Sequence, residues 1–206
     1  MEQLDSQTAR KLQAFLNWIE VCGFTVIVWD MDSTMSAQHC GTGIPKDRLQ
    51  DYISSTSKDF ITVMNAIAEM SETSPDNHIS KVRFAVATGS DPIEYGMHGN
   101  TKETHILGPD LATSIINQYC PKTLPLFEIM VGYDCREHPE DQNETVNIEG
   151  KRHHMRLIQK HYNVPFEKMV LIDDSPSSLI NEDGWIGVRV KGDFGFRFED
   201  CIGTID

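Results

Sequence analysis

The chain predicts an α/β fold with a mainly parallel central sheet and helices on both faces. Three observations carry that expectation. The runs Val26-Ile27-Val28-Trp29, Phe84-Ala85-Val86-Ala87 and Met169-Val170-Leu171-Ile172 are continuously apolar, as strands covered on both faces are. Stretches with apolar residues at helical spacing separate these runs, and alternating β and α units build a parallel sheet flanked by helices. Each run also stops at oxygen-bearing residues, and open α/β sheets keep their active sites at the carboxyl ends of strands.

Taken in order, Leu12, Phe15, Leu16 and Ile19 mark a helix over Ser6 to Cys22, which Gly23 ends before the first strand. Ile61, Met64, Ile67 and Ala68 mark a second helix, followed by the strand that ends at Thr88. A helix over Pro109 to Tyr119 leads to a strand from Leu126 to Val131. Gly150 and Lys151 open an amphipathic run containing Met155, Leu157 and Ile158, and the Met169 strand follows. A short helix over Pro176 to Asn181 then precedes a last strand, Trp185 to Val190.

At 206 residues the chain holds one substantial core, read as a single domain over 1–206. A net charge of −13 with no basic stripe argues against binding nucleic acid, which needs clustered Lys and Arg on the phosphate backbone. Five cysteines without a C-x-x-C pair indicate reduced thiols. His39-Cys40 has no partner at metal-ligand spacing and reads as structural or surface. No apolar run is long enough to span a membrane, and the polar, acidic N-terminus does not read as a secretory signal, so a cytoplasmic location without membrane association is the expectation.

The chemistry-bearing residues lie at the strand ends. Asp30 and Asp32 follow the first strand two residues apart, which brings both carboxylates to one face. Asp173-Asp174, then Ser175-Pro176, follow the Met169 strand, and Thr88-Gly89-Ser90 follow the Phe84 strand. Charge near a core is costly unless compensated, and a hard divalent cation such as Mg²⁺, taking oxygen ligands, meets that need.

These motifs resemble those of the haloacid dehalogenase superfamily of aspartate-nucleophile phosphohydrolases. Asp30-Met31-Asp32-Ser33-Thr34 matches its D-x-D-x-[TV] motif, Thr88 its strand-ending hydroxyl, Lys151 its helix-opening lysine, and Asp173-Asp174 its acidic pair. The four occur in the family's order over positions 24–190. The resemblance implies a three-layer Rossmann-like fold and a Mg²⁺-dependent phosphatase. Asp30 is then the nucleophile that forms an aspartyl-phosphate, and Asp32 the general acid and base. It also implies a metal held by Asp30, the Asp32 backbone carbonyl and Asp174, with Asp173 sharing the metal or orienting a bound water. Thr88 and Lys151 are expected on the phosphoryl oxygens. Ser90 competes with Thr88 as phosphate donor, and Arg152 competes with Lys151.

The family inserts caps after its first and second motifs. Here residues 35–58 suit a flap with a small helix at Lys46 to Tyr52, and 91–108 suit an extended loop, so the protein reads as essentially capless. His98, His105, Lys46, Arg48 and Arg136 are the loop residues able to meet a substrate, while Asp134 reads as a loop acid. The expected partner is a phosphorylated substrate, either a phosphoprotein or a phosphometabolite. A phosphotransferase or mutase with the same intermediate, and a catalytically silent binding module, are the alternatives. An open site favours hydrolysis over transfer, because it excludes water poorly.

Overall fold

A computed structural model of the chain describes residues 4–41, 43–89, 100–132, 150–180 and 183–202. In chain order its main elements are α1 (Ser6–Cys22), β1 (Val26–Trp29), β2 (Ile44–Pro45), α2 (Leu49–Ile53), α3 (Lys58–Thr73), β3 (Arg83–Thr88) and β4 (His105–Ile106). There follow α4 (Gly108–Tyr119), β5 (Phe127–Gly132), α5 (Arg152–Tyr162), β6 (Met169–Asp173), β7 (Ile186–Arg189) and α6 (Phe198–Ile202). Asp5 caps α1 by accepting the Gln7 and Thr8 amides at 2.8 and 3.0 Å, and Gly23 ends it in the left-handed conformation, φ 65°.

Five strands form one parallel sheet in the order β5-β3-β1-β6-β7. Helices cover both faces, so the architecture is three-layered and Rossmann-like, as the alternation of elements predicts. Side chains along β1 alternate between the two layers. Ile27 and Trp29 join Phe15 and Ile19 of α1, Phe60 and Ile67 of α3, and Leu111 and Ile115 of α4. Val26 and Val28 face the other way, onto Met155 and Ile158 of α5. Trp29 meets Phe60 and Phe196 edge-on at 5.1 and 5.0 Å, anchoring the residue just before Asp30. Burying each large apolar side chain contributes about 1.5–3 kcal/mol, which makes β1 the rigid base of whatever follows it.

The chain moves outward from β1 to β3 and β5, then crosses to β6 and β7 on the other side of β1. That reversal opens a crevice at the carboxyl ends of β1 and β6. Asp30 and Asp173 stand at its two edges.

Some expected boundaries differ. Pro176 to Ile180 is a succession of turns, not a helix: the amides of Ser178, Leu179 and Ile180 each reach back three residues, to Ser175, Pro176 and Ser177. Asn181 lies outside the described residues. Leu126 closes a 3₁₀ turn over Pro121–Leu126, where two prolines withhold ladder donors, so β5 begins at Phe127. Trp185 is buried beside Phe166 and precedes β7.

The first insert contains β2, a 3₁₀ turn at Lys46–Arg48 and the five-residue helix α2, so the expected small helix forms around Tyr52. The second insert is described only from residue 100. Its β4 pairs antiparallel with β2, Ile44 opposite Ile106 and Pro45 opposite His105, and so ties the two inserts together. Among the described residues no helix is long and apolar enough to cross a membrane.

Candidate active site

Beyond β1 the backbone makes a single wide turn, Met31–Met35, closed by Met35 N–H to the Asp30 carbonyl (3.3 Å) and Ser36 N–H to the Met31 carbonyl (3.1 Å). Inside it Asp32 is extended and Ser33 is left-handed, φ 55°. A left-handed non-glycine costs about 1–2 kcal/mol, so the turn is held by its surroundings. The Ser33 amide donates to Gln38 O, and the Phe196 amide donates to Thr34 O at 2.8 Å. The Asp30 amide continues the ladder to the Ile172 carbonyl at 2.9 Å. Its carboxylate, almost wholly buried, therefore springs from a fixed backbone.

Lys151 is the cation that meets it. Its Nζ donates to Asp30 Oδ1 at 2.7 Å and to the Ala87 carbonyl at the end of β3, and lies 3.9 Å from Asp173 Oδ2. Lys151 immediately precedes α5, and Gly150 makes its position possible. Gly150 adopts φ +58°, and a Cβ there would stand 2.3 Å from the Ser177 carbonyl. The neighbouring Arg152 turns instead to Asp183, at 3.0 and 3.3 Å, so Lys151 and not Arg152 reaches the carboxylates.

On the β6 side, Asp173 Oδ1 accepts the Ser175 amide at 2.8 Å, while Oδ2 is buried without a hydrogen-bond partner among the described residues. Carboxylate oxygens of Asp30, Asp173 and Asp174 lie within 4.8 Å of one another. Burial pushes the Asp30 carboxyl up to about 7, against the opposing pull of Lys151 and with Asp173 and Asp32 adding to the rise. Asp173 is raised for the same leading reason, burial, again opposed by Lys151. One lysine does not neutralise this group. A hard divalent cation taking oxygen ligands fits it: the donors are all carboxylate, and one oxygen of Asp173 is buried without a hydrogen bond among the described residues.

The other sequence-predicted residues divide. Thr88 ends β3 beside the cluster, fully buried, with its carbonyl accepting from His154 Nε2 at 3.0 Å. The adjacent Gly89, just beyond β3, lines the cavity. Ser90 lies outside the described residues, as do His98, Asp134 and Arg136. Arg48 pairs with Asp51 at 3.6 Å on the surface, and His105 contacts Thr104 at 2.9 Å within the ribbon.

Asp32 carries contacts that sequence reasoning missed. Its Oδ1 accepts the Tyr52 hydroxyl at 2.8 Å and the Cys40 amide at 2.9 Å; its Oδ2 accepts the Cys40 thiol at 3.1 Å and lies 3.3 Å from His39 Nδ1. His39, Cys40 and Tyr52 are therefore residues through which the first insert meets the site. A buried tyrosine hydroxyl on α2 needs a partner, and that is the one sequence signal pointing to such a contact. Burial, reinforced by the Asp32 carboxylate, drives the Tyr52 hydroxyl far above its ordinary range and keeps it a donor.

Asp30, Asp32, Lys151, Asp173 and Asp174 converge on a cavity of about 330 Å³, walled by His39 and Gly41 on one side and Ser175 and Ser178 on the other. Chemically this is a buried carboxylate held by a cation, a second carboxylate two residues on, and an acidic cluster with an unsatisfied oxygen. Comparison with protein-family models gives no match for this chain, and comparison with curated proteins gives none either.

Proposed function

We propose that the chain is a Mg²⁺-dependent phosphomonoesterase of the haloacid dehalogenase type, acting through an aspartyl-phosphate on Asp30. The observation that carries the reading is the Lys151–Asp30 contact at 2.7 Å, set beside carboxylate oxygens of Asp30, Asp173 and Asp174 that lie within 4.8 Å of one another. In this reading an Asp30 carboxylate oxygen attacks phosphorus while the ester P–O bond breaks, and Asp32 gives its proton to the departing oxygen. Water then attacks phosphorus, Asp32 takes back a proton, and the Asp30–phosphorus bond breaks to release inorganic phosphate.

Lys151 serves twice: it fixes the Asp30 carboxylate before reaction and stands beside the phosphoryl oxygens as charge shifts among them. Mg²⁺, held by Asp30, Asp173 and Asp174, would screen the approach of one anion to another and act as a Lewis acid on the phosphoryl group. With four carboxylates and one lysine lining the cavity, a phosphate dianion needs that additional positive charge. The substrate is a phosphorylated metabolite or protein whose phosphate enters a site bordered by a flap without a full cap.

Hydrolysis of p-nitrophenyl phosphate tests the reading. Turnover with Mg²⁺ that vanishes with EDTA and in Asp30→Asn supports it; turnover unchanged in Asp30→Asn overturns the nucleophile.

A further inference from the structure

Among the described residues, the donors on the Asp32 carboxylate all come from the first insert. Tyr52 and the Cys40 amide converge on Oδ1, and the Cys40 thiol meets Oδ2. Tyr52 itself is 2% exposed, and its hydroxyl also lies 3.3 Å from Gln38 O.

The segment that follows the helix bearing Tyr52 is pinned to the end of the Asp32 turn and to the residues just after it. Ala37 N–H donates to Ser55 O at 2.9 Å and Ser57 N–H to Met35 O at 2.9 Å, and the Ser36 and Ser55 hydroxyls meet at 2.8 Å. The wide turn carrying Asp32 and the helix carrying Tyr52 are thus one braced unit. A carboxylate with two donors on one oxygen cannot rotate freely about its last torsion, so its second oxygen keeps one direction. That second oxygen also has His39 at 3.3 Å, on the cavity wall.

We propose that Tyr52, together with the Cys40 amide, is a positioning residue that orients the Asp32 carboxylate for proton transfer. Residues 35–58 then act on the chemistry itself, where a longer insert would cap the cavity. The inference rests on the phosphatase reading, with Asp32 as acid and base. A tyrosine that merely filled space would need its ring and any acceptor; a positioning tyrosine needs its hydroxyl on Asp32. The distinction appears in the leaving group. An alkoxide requires a proton from a correctly aimed acid, whereas p-nitrophenolate departs without one.

Tyr52→Phe, which keeps the ring and removes only the hydroxyl, provides the test, with kcat/KM measured for an alkyl phosphate and for p-nitrophenyl phosphate. The expected result is a loss of about ten-fold for the alkyl ester, within the range a small misplacement of a catalytic group produces, and little loss for the aryl ester. In an Asp32→Asn background the same substitution should cost nothing further, since the two changes act through one interaction. Equal losses for both esters, no loss for either, or full additivity with Asp32→Asn would overturn the inference while leaving the phosphatase reading standing. Absence of metal-dependent hydrolysis in the wild type overturns the reading, and the inference with it. A readout independent of turnover is the Tyr52 hydroxyl proton by NMR in the metal-free protein. Its resonance, identified by its disappearance in Tyr52→Phe, should move in Asp32→Asn; a resonance that stays in place contradicts the contact.

Discussion

Lys151 Nζ stands 2.7 Å from Asp30 Oδ1, and both side chains are more than nine-tenths shielded from solvent. The pair joins the loop before α5 to the end of β1, 121 residues apart in sequence. Removing one partner of such a pair leaves a bare buried charge, which costs more than the pair itself contributes. Lys151→Met should therefore abolish turnover and also destabilise the metal-free protein at pH 8 by about 3 kcal/mol. At pH 5, where the unpaired Asp30 carboxyl takes up a proton, the penalty should shrink. Urea unfolding of both proteins at the two pH values checks this.

The acidic cluster sets the direction of pH dependence. Asp30 is raised to about 7 and Asp173 is raised as well, so the folded state binds protons that the unfolded chain has already released. Such groups contribute stability that is complete below their unfolded values near 4 and is lost as pH rises through about 7. The metal-free protein should have a higher Tm at pH 5 than at pH 8, and Asp30→Asn should flatten that slope. A wild-type Tm that climbs between those values would refute the assignment.

Mg²⁺ should reverse the loss. If Asp30, Asp173 and Asp174 hold the ion, Mg²⁺ at about 100 times its Kd adds about 2.7 kcal/mol of stability. The gain should be larger at pH 8 than at pH 5, where protons compete for the same oxygens. Asp173→Asn and Asp174→Asn should each weaken the Mg²⁺-induced rise in Tm, measured by calorimetry without any substrate.

Gly150 is the backbone device that delivers the lysine. At φ +58°, with the Ser177 carbonyl 2.3 Å from where a Cβ would lie, Gly150→Ala combines a strained conformation with a clash against main chain. The strain alone costs about 1–2 kcal/mol. Activity should fall further than stability, because the loop must shift and carry Lys151 with it. A variant with full turnover and lowered Tm would mean that the lysine's position does not depend on this contact.

The sheet was legible because β1, β3 and β6 each carry a short, continuously apolar run, a pattern that few other local structures satisfy. The acidic ends of β1 and β6 were legible for a related reason: carboxylates directly after buried strands have few alternative places to go. Lys151 was legible as a lysine opening an amphipathic run, while what turns its competitor Arg152 elsewhere is Asp183, a tertiary contact that the local pattern does not hold. Local pattern misjudged residues 176–180, where successive three-residue turns replace a helix. It also missed His39, Cys40 and Tyr52 around Asp32. Those contacts span 7, 8 and 20 positions across an irregular flap, and no periodicity records them. Thr88 ends its strand where the apolar run predicts, buried, with Gly89 next to it on the cavity wall.

The central claim is that Asp30 carries the phosphoryl group. Borohydride reduction of the protein during turnover with Mg²⁺ and p-nitrophenyl phosphate, followed by peptide mass spectrometry, tests it most directly, since an acyl phosphate is reduced where an ordinary carboxylate is not. The account predicts a reduced residue at position 30, formed only with both substrate and Mg²⁺ present. Active enzyme with Asp30 unmodified, or with the reduced residue elsewhere, would contradict it.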